Sequence, residues 1–360
     1  MRIAISTGGG DAPGLNAVIR GAVLAAHHRG WSVYGIQKGF GGLLGNERVI
    51  ALGPNEVRGI THLGGTILGT TNRGDPFKWP VKQPDGTVSE VDRSGDLLAA
   101  FAAHGFDAFI TIGGDGSLRI AQQLFEKGLP VVGVPKTIDN DVAGTVMTFG
   151  FDTAVSTATD AIDKLHSTAE SHERVMVVEV MGRYAGWIAL NSGISGSADV
   201  ILIPEIPYDI ESVCRKIRER EERGRHFSIV VVAEGALPKG GERTITGEAA
   251  KGGGMERLGG VGVRVAREIE ERTGKETRTM TLGHLLRGGS PTTFDRLLSL
   301  RFGAAAVRLV AEKKFGHMVA LNPPAITAVP FTEALARPKL VPLNSDAVLT
   351  AREIGVCLGD

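Results

Sequence analysis

The chain has 360 residues, too many for one ordinary core, and two domains are expected. Forty basic residues balance forty acidic ones, and hydrophobic and charged contents of 42% and 22% are those of an ordinary globular protein, so neither nucleic acid nor an anionic membrane is an expected partner. No apolar stretch approaches the ~20 residues that cross a bilayer. Met1-Arg2-Ile3-Ala4-Ile5 reads as a strand rather than a signal peptide, and a cytoplasmic location is expected. Cys214 and Cys357 have no close spacing and no His array nearby, which supports neither a disulfide framework nor a zinc site.

In chain order, Arg2 to Thr7 is a strand. Leu15, Val18, Ile19, Ala22, Val23 and Ala26 recur at helical spacing, and Gly30 closes that helix. Trp31 to Gln37 is a second strand, followed by a less regular region from Lys38 to Asp92, rich in Gly, Thr and Pro. Ala108 to Ile112 is a strand, Leu118 to Phe125 a helix, and Val131 to Val134 a strand. The alternation then repeats: a helix from Thr153 to Glu170, strands Arg174 to Val180 and Val200 to Ile203, a charged helix Ile210 to Arg223, and a strand Phe227 to Ala233. The run Gly252-Gly253-Gly254 precedes a helix from Met255 to Arg272, then a strand Thr277 to Leu282 and a long helix Phe294 to Lys314. Alternating βα units imply an α/β fold: two Rossmann-like three-layer domains with largely parallel sheets and an active site in the cleft between them.

Three loops at predicted strand ends carry candidate chemistry. Thr7-Gly8-Gly9-Gly10-Asp11-Ala12-Pro13-Gly14 joins the first strand to the first helix. Glycines let backbone approach a bulky anion, amides at a helix start bind phosphate, and Pro13 suits a first helical turn. Neither the dinucleotide fingerprint nor a Walker A sequence is present, and a plain tight turn is the alternative. Gly113-Gly114-Asp115-Gly116-Ser117 is a second such turn, whose acid could hold Mg²⁺ beside donor phosphates; a glycine turn with a helix cap is the alternative. The third loop is Lys136-Thr137-Ile138-Asp139-Asn140-Asp141. Asp139 could be a general base on an attacking hydroxyl, and Asp141 could orient the site or bind the ion, against a plain Asx-turn. Arg174, Arg183, Arg278 and Arg287 cluster at or near predicted strand ends, with His284 close by, as a wall for bidentate phosphate capture. Glu234 ends an apolar strand and could accept from sugar hydroxyls. Together these describe a phosphoryl transferase acting on a phosphorylated sugar.

The motifs Gly9-Gly10-Asp11-Ala12-Pro13-Gly14-Leu15-Asn16, Gly113 to Ser117, Thr137 to Asp141, Ser171-His172-Glu173-Arg174, Met181-Gly182-Arg183 and Gly283 to Pro291 resemble the 6-phosphofructokinase family over nearly the whole chain. The resemblance implies transfer of phosphate from Mg-ATP to the 1-hydroxyl of fructose 6-phosphate, the committing step of glycolysis. It implies Asp139 as base with Thr137 and Arg183 beside the reacting groups, and Asp115 as the Mg²⁺ ligand. Gly10, Arg73, Gly74, Gly114, Asp115, Gly116 and Ser117 would line the donor site. Thr137, Ile138, Met181, Gly182, Arg183, Glu234, His284, Leu285, Leu286 and Arg287 would surround the sugar phosphate. Arg174 and Arg278 match residues that reach in from a neighbouring subunit, implying a homo-oligomer, dimer or tetramer, with shared active sites. Residues 1–150 with about 285–335 would bind donor, and 151–284 with about 336–360 would bind fructose 6-phosphate.

Gly116 and Lys136 bear on the donor. Family members that use pyrophosphate typically carry Asp at the first position and Lys at the second; bacterial ATP enzymes usually have Gly at both. The mixed pair resembles the subgroup that joins a pyrophosphate-type body to ATP use, and ATP is expected, with pyrophosphate the alternative. Leu24, Glu222 and Gly224 stand where the bacterial effector site is basic, which argues against control by ADP or phosphoenolpyruvate. Another kinase with a Gly-Gly-Asp-Gly turn, or a non-catalytic sugar-phosphate sensor, is the more distant alternative. Retention of Asp139 and Asp115 argues against the sensor.

Overall fold

The computed structural model describes residues 1–247 and 257–360; the glycine run Gly252–Gly254 and the expected helix start at Met255 lie outside them. In chain order the elements are β1 (Arg2–Thr7), α1 (Leu15–His27), β2 (Ser32–Ile36), α2 (Gly41–Leu44), β3 (Val49–Leu52), β4 (Trp79–Lys82), β5 (Val88–Val91), α3 (Ser94–Ala103), β6 (Ala108–Gly113), α4 (Asp115–Glu126), β7 (Val131–Pro135) and α5 (Phe151–His172). There follow β8 (Val175–Val180), α6 (Trp187–Ser195), β9 (Val200–Leu202), α7 (Ile210–Glu222), β10 (Ser228–Ala233), β11 (Ile245–Gly247), β12 (Arg257–Leu258), α8 (Val261–Thr273) and β13 (Thr277–Thr281). The chain closes with α9 (Thr293–Ala311), β14 (His317–Asn322), β15 (Ala325–Pro330), α10 (Phe331–Ala334) and α11 (Asp346–Glu353). Among the described residues no helix is long and apolar enough to cross a membrane.

The chain divides into two compact units. The first comprises 1–138, 142–153 and 287–338; the second comprises 139–141, 154–286 and 339–360. The first holds a seven-stranded sheet in the order β15-β14-β7-β6-β1-β2-β3, parallel from β14 to β2 and antiparallel at both edges. The central strands are apolar on both faces, as a sheet covered on both sides requires. Ile3, Ile5, Ile110, Ile112, Val132 and Val134 face α1 and α9, while Ala4, Phe109 and Val131 face α3 and α4. The pairing of α1 with α9 is close: a Cβ on Gly303 would lie 2.2 Å from the carbonyl oxygen of Val18, and one on Gly21 would lie 2.6 Å from that of Leu300. Only glycine allows backbone to meet backbone in this way.

The second unit has a four-stranded, all-parallel sheet in the order β13-β8-β10-β9. Val175, Val177, Val200, Leu202, Val230 and Val232 pack on Val213 and Ile217 of α7 and Val261, Val265 and Ile269 of α8. Strand β8 is fully buried along its length.

Two local expectations differ from the structure. Pro13 precedes the first turn of α1, because Gly14 takes a left-handed N-cap conformation at φ 107° and helical geometry begins at Leu15. A Cβ there would lie 2.5 Å from Ser299 Oγ, so a glycine rather than the proline sets the helix start. The helix expected from Met255 to Arg272 starts only at Val261, because β12 (Arg257–Leu258) and a left-handed N-cap at Gly260 precede it. The region from Lys38 to Asp92, expected as long loops with short elements, holds α2, β3 and the β4–β5 hairpin within its loops.

Candidate active site

In the first unit, strands β7, β6 and β1 are neighbours, and their registers bring Gly113 opposite Pro135 and Thr7 opposite Ile112. The three loops singled out from the sequence therefore leave the same carboxyl edge side by side, where open α/β sheets place ligands. Gly8 N–H donates to Ile112 O at 2.9 Å and Lys136 N–H to Gly113 O at 2.9 Å. The Lys136 ammonium donates to Gly10 O. Side chains are excluded from the turn itself: a Cβ on Gly113 would lie 2.3 Å from Ser117 Cβ, and one on Gly8 would lie 2.8 Å from Ser117 Oγ. Gly116 is different, since a Cβ there would meet nothing within 4 Å.

Asp115 is the first residue of α4, about half exposed, and its carboxylate accepts from Arg119 Nε at 2.9 Å. Among the described residues no group of three or more His, Cys, Asp or Glu gathers as a metal cage. A single carboxylate beside a phosphate-type turn suits a cation that arrives on a phosphate ligand. Arg287 lies along the first glycine loop, its Nη1 donating to Asp11 O at 3.2 Å and standing 3.0 Å from where a Gly10 Cβ would be. Arg73 and Gly74 follow a segment that clamps the same loop: Thr70 Oγ1 donates to Gly9 O at 2.6 Å, Gly9 N–H to Thr71 O at 3.1 Å, and Thr7 Oγ1 to Gly69 O at 2.7 Å. These threonines carried no motif, and only the fold reveals their role. Thr137 is held through its carbonyl, which accepts from Thr148 Oγ1 at 2.7 Å, and Ile138 is fully buried.

The second unit carries Asp139, Asn140 and Asp141. It also holds a pocket of about 290 Å³ lined by Met181, Glu234 and His284, together with Glu179, Thr281 and Leu258–Gly260. The pocket lies at the carboxyl ends of β8, β10 and β13. Gly182 adopts φ 141°, and a Cβ on Gly235 would lie 2.0 Å from Arg183 O, so the loops after β8 and β10 touch backbone to backbone. Glu234 is anchored by its own N–H donating to Val180 O at 2.8 Å. Leu285 is 67% exposed whereas Leu286 is fully buried, so any ligand contact at Leu286 is through backbone.

Glu179 was not apparent from the sequence, because it sits inside an apolar strand. It is 3% exposed, and its carboxylate accepts from Gly260 N–H at 3.2 Å and Gly262 N–H at 2.8 Å. An anion at the N-terminus of α8 is favoured by the helix dipole and by the otherwise unmet amides there. It ties one wall of the pocket to the start of that helix.

The four arginines do not form one wall. Arg174 precedes β8 and Arg278 is the second residue of β13; both meet Glu276, the former at 2.8 Å. Arg183 follows β8 at the opposite edge, two residues beyond Met181 of the pocket lining. A six-residue strand separates the two ends by about 20 Å. The parallel register of β8 and β13, invisible in a linear reading, imposes the separation.

Residues 2–310 match the phosphofructokinase family model. The chain belongs to the phosphofructokinase family. It is 52% identical over 360 residues to an ATP-dependent 6-phosphofructokinase of Chloroflexus aurantiacus, spanning all of this chain and 98% of that protein. It is 50% identical over 365 residues to ATP-dependent 6-phosphofructokinase 1 of Synechocystis sp., again across all of this chain and 98% of the relative. Among solved structures, the phosphofructokinase of Pichia pastoris in the T-state superposes with a TM-score of 0.80 at 31% identity, covering 98% of this chain and 36% of that longer one. The phosphofructokinase motifs thus fall on the sheet edges described above.

Proposed function

We propose that this phosphofructokinase transfers the γ-phosphoryl group of ATP to the 1-hydroxyl of fructose 6-phosphate, giving fructose 1,6-bisphosphate and ADP at the committing step of glycolysis. The observation that carries the reading is the convergence of both glycine turns and the Lys136–Asp141 loop on one sheet edge, in a chain half identical to ATP-dependent relatives. The first unit would be the donor-binding domain, with Gly10, Arg73, Gly74 and Gly114 to Ser117 around the nucleotide. The second would bind the sugar phosphate in the pocket of Met181, Glu234 and His284.

In this reading Asp139 takes the proton of the 1-hydroxyl as its oxygen attacks the γ-phosphorus, and the bond to the ADP oxygen breaks in line. Arg183 and the Lys136 ammonium offset charge on the transferring group. Asp115 would hold Mg²⁺, which supplies charge neutralisation when it arrives with ATP. Thr137 and Ile138 place the base through their backbone. Open space at Gly116 supports ATP, because it leaves room for a nucleotide phosphate beside α4. Arg174 and Arg278, turned to the other edge of their sheet, would serve a neighbouring subunit's pocket in a homo-oligomer. A cytoplasmic setting follows from the glycolytic role.

The purified protein assayed with fructose 6-phosphate should turn over with Mg-ATP. Turnover with pyrophosphate in place of ATP would overturn the donor, and turnover with neither would overturn the reaction.

A further inference from the structure

A short segment near the end of the chain, Lys339–Val341, is bonded to two loops that the function uses, all within the second unit. Towards the Asp139–Asp141 loop, Lys339 N–H donates to Asp141 O at 2.8 Å and its ammonium to Asn140 Oδ1 at 3.0 Å. Asn140 stands at φ 51°, in the left-handed region, which asparagine adopts more readily than most non-glycine residues. Towards the Met181–Gly186 loop, Val341 N–H donates to Glu205 Oε1 at 2.8 Å, and the same carboxylate accepts from Gly186 N–H at 3.0 Å. Lys339 O accepts from Trp187 Nε1 at 3.0 Å, and the ammonium lies 5.5 Å from the centre of the Trp187 ring. Burial pushes the Lys339 ammonium down to about 8, against the opposing pull of the Asp141 carboxylate, so it is still largely charged at neutral pH.

We infer that Lys339 and Glu205 are positioning residues: with the strap between them they hold the Asp139–Asp141 loop in register with the loop that carries Met181, Gly182 and Arg183. Neither touches substrate in this account. They act on where the base sits relative to the hydroxyl and the transferring phosphoryl group, a geometry in which small displacements are costly. The inference rests on the reading of Asp139 as the base.

The test uses the full chain and three variants, Lys339→Met, Lys339→Arg and Glu205→Gln, with kcat and KM for fructose 6-phosphate measured beside circular dichroism and thermal midpoint. Lys339→Met keeps an unbranched side chain and removes the charge. Its kcat should fall by about 10- to 100-fold, with KM changed by less than about threefold. Lys339→Arg should recover part of the loss, and Glu205→Gln, which turns one acceptor into a donor facing an N–H, should lower kcat in the same way. A split in which only kcat moves would not arise from general loosening of the fold. Wild-type kcat in folded Lys339→Met and Glu205→Gln would overturn the inference. Should Lys339→Met fail to fold, Glu205→Gln decides: unchanged kcat overturns it, lowered kcat at unchanged KM supports it. An inactive wild-type chain would overturn the functional reading, and this inference with it.

Discussion

Asp139 follows a buried strand end and a fully buried isoleucine, so its backbone has little freedom. As the proposed base, on so firm a mount, it would act by position as much as by proton affinity. Asp139→Ala should lower kcat by about 10²- to 10⁴-fold while leaving KM for fructose 6-phosphate nearly unchanged; steady-state kinetics check this, and undiminished turnover would remove Asp139 as the base. Gly116 poses the opposite case. A side chain there meets open space in the protein itself, so Gly116→Asp should fold normally. Its carboxylate would stand beside donor phosphates at the start of α4, and kcat/KM for ATP should drop at least about tenfold through charge repulsion and lost room. Wild-type ATP kinetics in that variant would sink the account of donor choice.

At the scale of elements, the starts of α5 and α9 are joined by a buried polar node. Thr292 caps α9, accepting from Asp295 N–H, and its hydroxyl donates to Asp152 Oδ2 at 2.5 Å. The Asp295 carboxylate, fully buried, accepts from Thr153 N–H at 2.8 Å and Thr153 Oγ1–H at 2.6 Å. Burial outweighs those bonds and pushes the carboxyl up to about 6. A raised carboxyl binds its proton more tightly in the folded state. Its contribution is therefore fully present below about pH 4, the unfolded value, and is lost as pH rises through about 6. Relative to Asp295→Asn, which does not titrate, the wild-type chain should gain about 1 kcal/mol of unfolding free energy between pH 8 and pH 5. Urea unfolding at the two pH values measures it; a difference that stays constant would show that Asp295 does not titrate in this range.

For the molecule as a whole, Arg174 is the informative residue. It pairs with Glu276 at the edge of its sheet away from the pocket of Met181, Glu234 and His284, about 20 Å along the strand. An arginine so placed has no route to the pocket of its own sheet. If it serves the sugar phosphate of a neighbouring subunit, Arg174→Ala should raise KM for fructose 6-phosphate by about tenfold or more, since a charge-assisted phosphate contact is worth roughly 1.5–3 kcal/mol. Mixed oligomers of Arg174→Ala and Asp139→Ala chains would then contain sites with Asp139 from one chain and Arg174 from the other, and these should show wild-type KM. An unchanged KM in Arg174→Ala alone would argue against a shared site.

Motifs whose chemistry depends on neighbours in the chain could be read without the fold. The turns at Gly8–Gly10 and Gly113–Ser117, the Thr137–Asp141 loop and the alternation of buried strands with amphipathic helices are local patterns, because backbone conformation and the period of burial are set within a few residues. Sheet order and register then decided what those patterns mean together. They brought three loops to one edge, and of the arginines that looked like one wall they set Arg174 and Arg278 at the opposite edge of a sheet from Arg183. Glu179, Glu205 and Lys339 had no signal in the sequence. Each is a charged residue whose partners lie far along the chain: Lys339 meets Asn140 across 199 positions, and Glu205 meets Val341 across 136. Such pairings are created only when distant segments fold onto one another, and a charge drawn wholly or partly out of solvent then takes its role from whatever amides and carbonyls it finds there.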